Sequence, residues 1–473
     1  MSFAALIYGI NIVLVFVVIC LQRRDPIVSL AWALTFALFP IVGLIVFLIF
    51  GNGLKRKTAK RYLEKLDMNL DLEEKLNKSH AIKTLSTRRD DCEADMMLYL
   101  LNIGNSAVTE NNATKIYTDA DSKYFDLIED IRRAKSTINM SYFIYRNDII
   151  GKKIMKELVQ KAQEGVEVRF LYDSIGCFTT DKYLFQKLKA AGGYVSAFFP
   201  VKLTSYSKLN HRNHRKIVVI DGKIGYLGGM NIGDEYKGLK RLRPWRDTHM
   251  RIEGEAVTYL QKVFALDWMF STDEDLSSDL NKYFPRSYEP FGEKTIQIVA
   301  GGPDTEEDEI KCGMIKMINS AKDYIYIQSP YFVPDKPFLS ALTMAAKSGR
   351  DVRLMIPGKP DKYTVYCTTY SFLGELLDAG VKVYKYHGFI HSKTIVMDNK
   401  ISTIGTTNTD IRSFHLHFEV NAFVYDEKFA QENKRIFLKD IGNCDEITKR
   451  EYDKRNIFKK FAEGFCRMFS PIM

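Results

Sequence analysis

The chain opens on two long apolar stretches and then changes character. Residues 2–21 hold only Asn11 as a strongly polar side chain, and residues 27–50 hold no charge at all. Each stretch is long enough to cross a hydrocarbon core of ~30 Å, so the pattern predicts a transmembrane hairpin over 1–50. Residues 51–107 are rich in Lys, Glu, Asp and Arg and poor in apolar side chains, and read as a charged linker. Beyond them, short apolar runs alternate with helix-like stretches, which predicts α/β sheets. Ile217–Ile220 and Thr394–Met397 are two such runs, read as strands buried on both faces. Turn chemistry follows each, Asp221-Gly222-Lys223 and Asp398-Asn399-Lys400, and then a second apolar run, 224–227 and 401–404. The prediction is a pair of hairpins.

These hairpins are copies of one pattern. The first reads HRKIVVIDGKIGYLGGMN from His214, the second HSKTIVMDNKISTIGTTN from His391. In both, Lys follows His by two residues, Asp by seven, Gly by fourteen and Asn by seventeen. The likeness extends upstream, where residues 165–169 match 349–353. A duplicated unit of ~180 residues is near the usual domain size. The division is therefore a first half over 108–290 and a second half, with a C-terminal tail, over 291–473. Residues two apart on a strand share a face, which sets His214 beside Lys216 and His391 beside Lys393. A nucleophile or acid next to a fixed cation suits a phosphodiester oxygen, and two such sets suggest one phosphoryl-transfer centre built from two half-sites. Each copy also offers a downstream carboxylate, Asp247 and Glu419, and a carboxylate behind a catalytic histidine fixes its tautomer.

Composition narrows the partner. Lys and Arg number 68 against 58 Asp and Glu, a formal charge of +10, which suits an acidic lipid surface or nucleic acid. The apolar N-terminus decides for lipid, and against nucleic acid. Six Lys and Arg follow the second stretch between 55 and 65, whereas two lie between the stretches and none precedes the first. The positive-inside rule then predicts a multi-pass protein of the bacterial cell membrane with its catalytic region in the cytoplasm. The seven cysteines are scattered without CxxC spacing or a Cys/His cluster, as reduced thiols would be, and the chain shows no Walker A motif, zinc-protease helix or calcium loop, so neither a cofactor nor a metal is expected.

The paired motifs, together with GGMN, WRDTH, SPYFVPD and TDIRSFHLHFEVN, resemble the phospholipase D superfamily and, within it, bacterial cardiolipin synthases. The resemblance implies two phospholipase D-like α/β halves related by pseudo-twofold symmetry. It implies transfer of a phosphatidyl group between two phosphatidylglycerols, with release of glycerol. By the same resemblance His214 is the nucleophile and His391 the acid/base, while Lys216, Lys393, Asn231 and Asn408 bind the phosphate oxygens. Ser413 joins the substrate-binding set, and Asp247 and Glu419 orient the histidines. The motif aspartates Asp221 and Asp398 count with the catalytic set, although their place in the turns points to holding structure. Thr406-Thr407 departs from the small residue that relatives carry before Asn408. A hydrolase or headgroup-exchange enzyme acting on other phospholipids is the alternative reading.

Overall fold

In the computed structural model the described residues are 91–470 without 105, 201–209, 240–243, 277–278, 286–290 and 306, together with 9–10, 12–13, 26–39, 41–43 and 47. The expected membrane hairpin is corrected. Its first span lies outside the described residues apart from four helical positions. Its second span appears as a helix of 13 residues, Pro26–Leu38. At ~1.5 Å per residue that helix reaches ~20 Å, short of the ~30 Å core. It is interrupted at Phe39, since the ring of Pro40 disfavours helical backbone in the preceding residue, and residues 41–43 are helical again, with Gly43 N–H donating to the Phe39 carbonyl (2.6 Å). No helix among the described residues is long and apolar enough to cross a membrane. The multi-pass placement with a cytoplasmic catalytic region falls with the hairpin on which it rested.

Residues 92–104, counted with the linker by composition, form a helix. Met96 and Leu100 on it join a core shared with Val299 and Met314 of the second half.

The first half supplies β1 (Thr109–Tyr117), β2 (Thr137–Tyr142), β3 (Glu167–Asp173), β4 (Tyr194–Phe198), β5 (Ile217–Ile220), β6 (Ile224–Gly228) and β7 (His249–Glu253). The second supplies β8 (Lys294–Gly301), β9 (Tyr324–Gln328), β10 (Asp351–Pro357), β11 (Lys382–Tyr386), β12 (Thr394–Met397), β13 (Ile401–Gly405), β14 (His417–Tyr425) and β15 (Cys444–Ile447). The sheet runs β4-β3-β2-β5-β6-β7-β1-β8-β14-β13-β12-β9-β10-β11-β15. Read outward from the β1–β8 join, the two wings have the same strand order, with β15 as an added edge. The halves therefore fuse into one continuous sheet. The join is antiparallel and bulged, with Thr109 opposite Ile296 and Asn112 opposite Lys294. Side chains bridge it: Thr109 Oγ1 donates to the Ile296 carbonyl (2.6 Å) and Asn112 Nδ2 to the Lys294 carbonyl (3.0 Å).

Both predicted hairpins form, β5 with β6 and β12 with β13. Ile217, Val218, Val219 and Ile220 are all within 1% of complete burial. Each such side chain contributes roughly 1.5–3 kcal/mol on leaving water, so the hairpin is held by packing on both of its faces.

Candidate active site

Each motif histidine enters its hairpin from a two-residue strand, and both strands pair across the halves. Arg212–Asn213 runs parallel to the start of β14, with Arg212 opposite His417 and Asn213 opposite Phe418. Phe389–Ile390 runs parallel to Trp245–Arg246. The ladder continues into the motifs. His214 N–H donates to the Phe418 carbonyl (2.9 Å) and His391 N–H to the Arg246 carbonyl (2.6 Å). The next residues along the partner segments are Glu419 and Asp247, so register alone brings each carboxylate to the other half's histidine. His214 Nδ1 lies 2.9 and 3.1 Å from the Glu419 oxygens, and His391 Nδ1 lies 2.7 Å from Asp247 Oδ2. An ionised carboxylate only accepts, so the proton sits on Nδ1 in both rings. The sequence groups each carboxylate with the histidine of its own copy; the structure exchanges them. No spacing signal could have shown this, since either pairing leaves one carboxylate per histidine.

Burial and mutual repulsion govern the charges. Lys216 and Lys393 are buried, and each Nζ donates back to the carbonyl of its own motif histidine at 2.5 Å. Desolvation pushes Lys216 down to about 7 and Lys393 to about 8, against the pull of Glu419 and Asp247. Burial, followed by the Lys216, Lys393 and His391 charges, holds His214 well below the usual imidazole range. Burial and Lys393 also lower His391, but there Asp247 pulls the other way. Glu419 is pushed up to about 7 by burial. That His214 feels both Lys393 and His391 marks the two motifs as one electrostatic unit.

The remaining expected residues divide. Asp221 and Asp398 sit at the far ends of β5 and β12 from the histidines. Asp221 accepts from the Lys135, Ser136 and Thr137 amides (2.7–2.9 Å), and Asp398 from those of Lys322, Asp323 and Tyr324 (2.6–3.0 Å). Both adopt positive φ in the turn. Asn231 is committed to its own half: Nδ2 donates to the Tyr236 hydroxyl (2.5 Å), and Oδ1 accepts from Ile144 N–H (3.0 Å). Asn408 keeps a buried Oδ1 without a hydrogen-bond partner. Ser413 is buried near Glu419; its N–H donates to Asp410 Oδ1 (2.7 Å) and its hydroxyl has no hydrogen-bond partner. Thr406 and Thr407 brace the start of β14, where Val420 N–H donates to Thr406 Oγ1 (2.9 Å) and Thr407 Oγ1 donates to Asn421 Oδ1 (2.8 Å).

Several neighbours of the site were not singled out from the sequence. Arg215 Nε donates to the Glu419 carbonyl (3.0 Å) and Nη1 pairs with Asp267 (2.5 Å), fixing the backbone beneath Glu419. Tyr236 and Trp245 place their rings 6.0 and 5.6 Å from His391. Tyr236 stands five residues after Asn231, as Ser413 does after Asn408, and that offset was the available signal.

One group among the described residues has metal-ligand spacing: His214, His417 and Glu419, with ligand atoms within 4.8 Å of one another. Its surroundings suit an anion better. Arg412, Lys216 and Arg212 all depress His417 after burial does, and a field that repels a proton repels a metal ion too. The Glu419 oxygens are also already engaged by His214.

The family described as cardiolipin synthase, PLD-like domain, matches residues 127–268 and 314–441, one segment around each motif. The major cardiolipin synthase of Bacillus subtilis is 43% identical over 99% of this chain and 98% of its own length. The chain belongs to the cardiolipin synthase family. Cardiolipin synthase 2 of Staphylococcus epidermidis is likewise 43% identical, over 98% of this chain and 96% of its own. Residues 9–52 match a phospholipase D-nuclease N-terminal family. The phosphatidylserine synthase of Haemophilus influenzae superposes with a TM-score of 0.58 at 14% identity, over 76% of this chain and 95% of that one. That likeness shows the fold alone; the two phospholipase D-like α/β halves rest on the family match around each motif.

Proposed function

We propose that this chain joins two phosphatidylglycerols into cardiolipin, releasing glycerol through a phosphohistidine. The enzyme is a phosphatidyltransferase of the phospholipase D type, and membrane lipids of the phosphatidylglycerol kind are its substrates. The observation that carries the reading is the crossed pair of His–carboxylate contacts over a shared set of buried lysines, in a chain 43% identical to cardiolipin synthases along its length.

His214 Nε2 attacks phosphorus and the bond from phosphorus to the glycerol headgroup breaks. His391 Nε2–H protonates the departing alkoxide. The terminal hydroxyl of a second phosphatidylglycerol then gives its proton to His391 and attacks phosphorus, and the P–N bond breaks. Lys216, Lys393 and Asn408 face the non-bridging oxygens, with the unpartnered Ser413 hydroxyl beside them. Two observations favour His214 as nucleophile: burial and then its cationic neighbours keep it neutral, while Asp247 opposes the loss of a proton from His391. Asp221 and Asp398 hold the turns.

Purified enzyme in bilayers containing phosphatidylglycerol as sole phospholipid should give cardiolipin and glycerol by mass spectrometry. Phosphatidic acid as the dominant product would replace the transferase reading with hydrolysis.

A further inference from the structure

The helix Ile457–Arg467 is packed with its polar side inward. Its one buried residue is Glu463, which pairs with Arg455. Arg467 donates to the Ser371 carbonyl (3.1 Å), pairs with Glu375 (2.6 Å) and lies 4.2 Å from the Phe372 ring. All three partners belong to the helix Tyr363–Asp378. The apolar side faces out: Ile457 is 72% exposed, Phe458 82%, Phe461 74%, Phe465 53% and Met468 73%. A helix that buries Glu463 against Arg455 and shows its phenylalanines has a face made for something outside the chain.

We infer that this face docks on an anionic lipid bilayer, lying in the interface with the phenylalanines among the acyl chains. Charge selects that occupant. Residues 449–470 carry seven Lys and Arg against three Asp and Glu, and Lys459 and Lys460 stand exposed between Phe458 and Phe461. Long basic side chains flanking an aromatic stripe reach phosphate headgroups while their stems stay with the apolar face. Position agrees. The supporting helix starts at Tyr363, itself 65% exposed, and its first turns, with Asp361 and Lys362, line a cleft closed by Tyr331 and Phe389. Phe389 lies 5.8 Å from the ring of His391. On the other half, the loop after β3 exposes Ile175 and Phe178, and Asp173 at its start accepts from Asn213 N–H beside the nucleophile (3.1 Å). Docking through this side sets the cleft against the lipid it draws from. The choice of a lipid surface rests on the phosphatidylglycerol reading above.

The test is flotation of the full chain with vesicles of phosphatidylcholine alone or mixed equally with phosphatidylglycerol. Phe458→Ser/Phe461→Ser/Phe465→Ser should lower partition onto the mixed vesicles by roughly tenfold or more. Cardiolipin formation should fall with it in vesicles and hold in detergent micelles. Lys459→Glu/Lys460→Glu should lose binding to mixed vesicles and not to phosphatidylcholine. Unchanged partition of the triple variant overturns the proposal. So does unchanged partition accompanied by a fall from dimer to monomer mass, which would give the face to a second copy. Wild-type protein that binds vesicles yet makes no cardiolipin would sink the function and leave the docking intact.

Discussion

The two half-sites share a scaffold and differ in their walls. Two residues before the crossing carboxylate stands Trp245 on one side and His417 on the other. Two residues before the motif histidine stand Phe389 and Arg212; five after the motif asparagine, Tyr236 and Ser413. His391 thus sits among three aromatic rings at 5.6–6.0 Å. His214 meets Phe143 at 5.0 Å and His417 at 5.7 Å, with Arg212 and Arg412 behind His417. Aromatic faces attract a cation and cationic neighbours repel one. Equivalent strands and matched His/Lys sets are therefore given different settings: both imidazoles are lowered by burial, but His214 is held well below the usual range while Asp247 offsets part of the fall at His391. Pseudosymmetry sets the geometry, and three substitutions per half set the roles.

The sharpest way to break this comparison is to remove each histidine. His214→Ala and His391→Ala should each lower synthesis by roughly 10⁴-fold or more, and the double variant should be no worse than either, because the pair acts as a unit. Under acid quench, labelled phosphatidyl should remain on His214, and His391→Asn should accumulate it; label on His391 would exchange the roles. Next come the carboxylates. Glu419→Gln and Asp247→Asn should each cost roughly 10²–10⁴-fold. A substrate whose leaving group needs no protonation should restore much of the Asp247→Asn rate and little of the Glu419→Gln rate. Rescue of Glu419→Gln instead would make His214 the acid and exchange the roles of the two histidines.

The sequence carried the hairpins and the motif sets because both are local. Ile217–Ile220, its turn and residues 224–227 declare themselves by apolar runs around Asp221-Gly222, whatever the rest of the chain does. The exchange of Asp247 and Glu419 is not local. It depends on Arg212–Asn213 laying itself beside His417–Phe418, a pairing across more than two hundred residues that leaves no periodicity. The opposite error came from composition. Apolar length over 27–50 predicted one unbroken span, whereas the helix Pro26–Leu38 breaks just before Pro40, with residues 41–43 helical beyond it. The tail is the inverse case: its aromatic spacing does not say which face packs, and it is burial of Glu463 that leaves Phe458, Phe461 and Phe465 outside.

A smaller effect sharpens the electrostatic side. Glu419, pushed up to about 7, must be ionised to hold the His214 proton, so activity falls as pH drops below that value. Lys216 and Lys393, pushed down to about 7 and about 8, must be protonated to meet the phosphate, so activity falls as pH rises past them. The kcat/KM profile should be a narrow bell, each limb tending to about tenfold per pH unit. A bound phosphodiester anion raises the lysine pKa values, so the alkaline limb of kcat should lie at higher pH than that of kcat/KM. Glu419→Gln should flatten the acid limb. An acid limb unchanged by that substitution would remove Glu419 as its source.

The smallest effect on chemistry is expected where the two halves are most alike. Asp221 and Asp398 each cap three backbone amides at the start of β2 and β9. Asn tolerates the same positive φ but offers one acceptor oxygen in place of two. Asp221→Asn and Asp398→Asn should therefore each cost roughly 1–3 kcal/mol of stability, read as a lower Tm. Because the capping is the same in both halves, the two losses should be equal within error, unlike the unequal carboxylate variants. The folded fraction should keep kcat within about threefold, since neither side chain reaches the histidines across its four-residue strand. A collapse of kcat at unchanged Tm would move these aspartates from holding the turns into the chemistry itself.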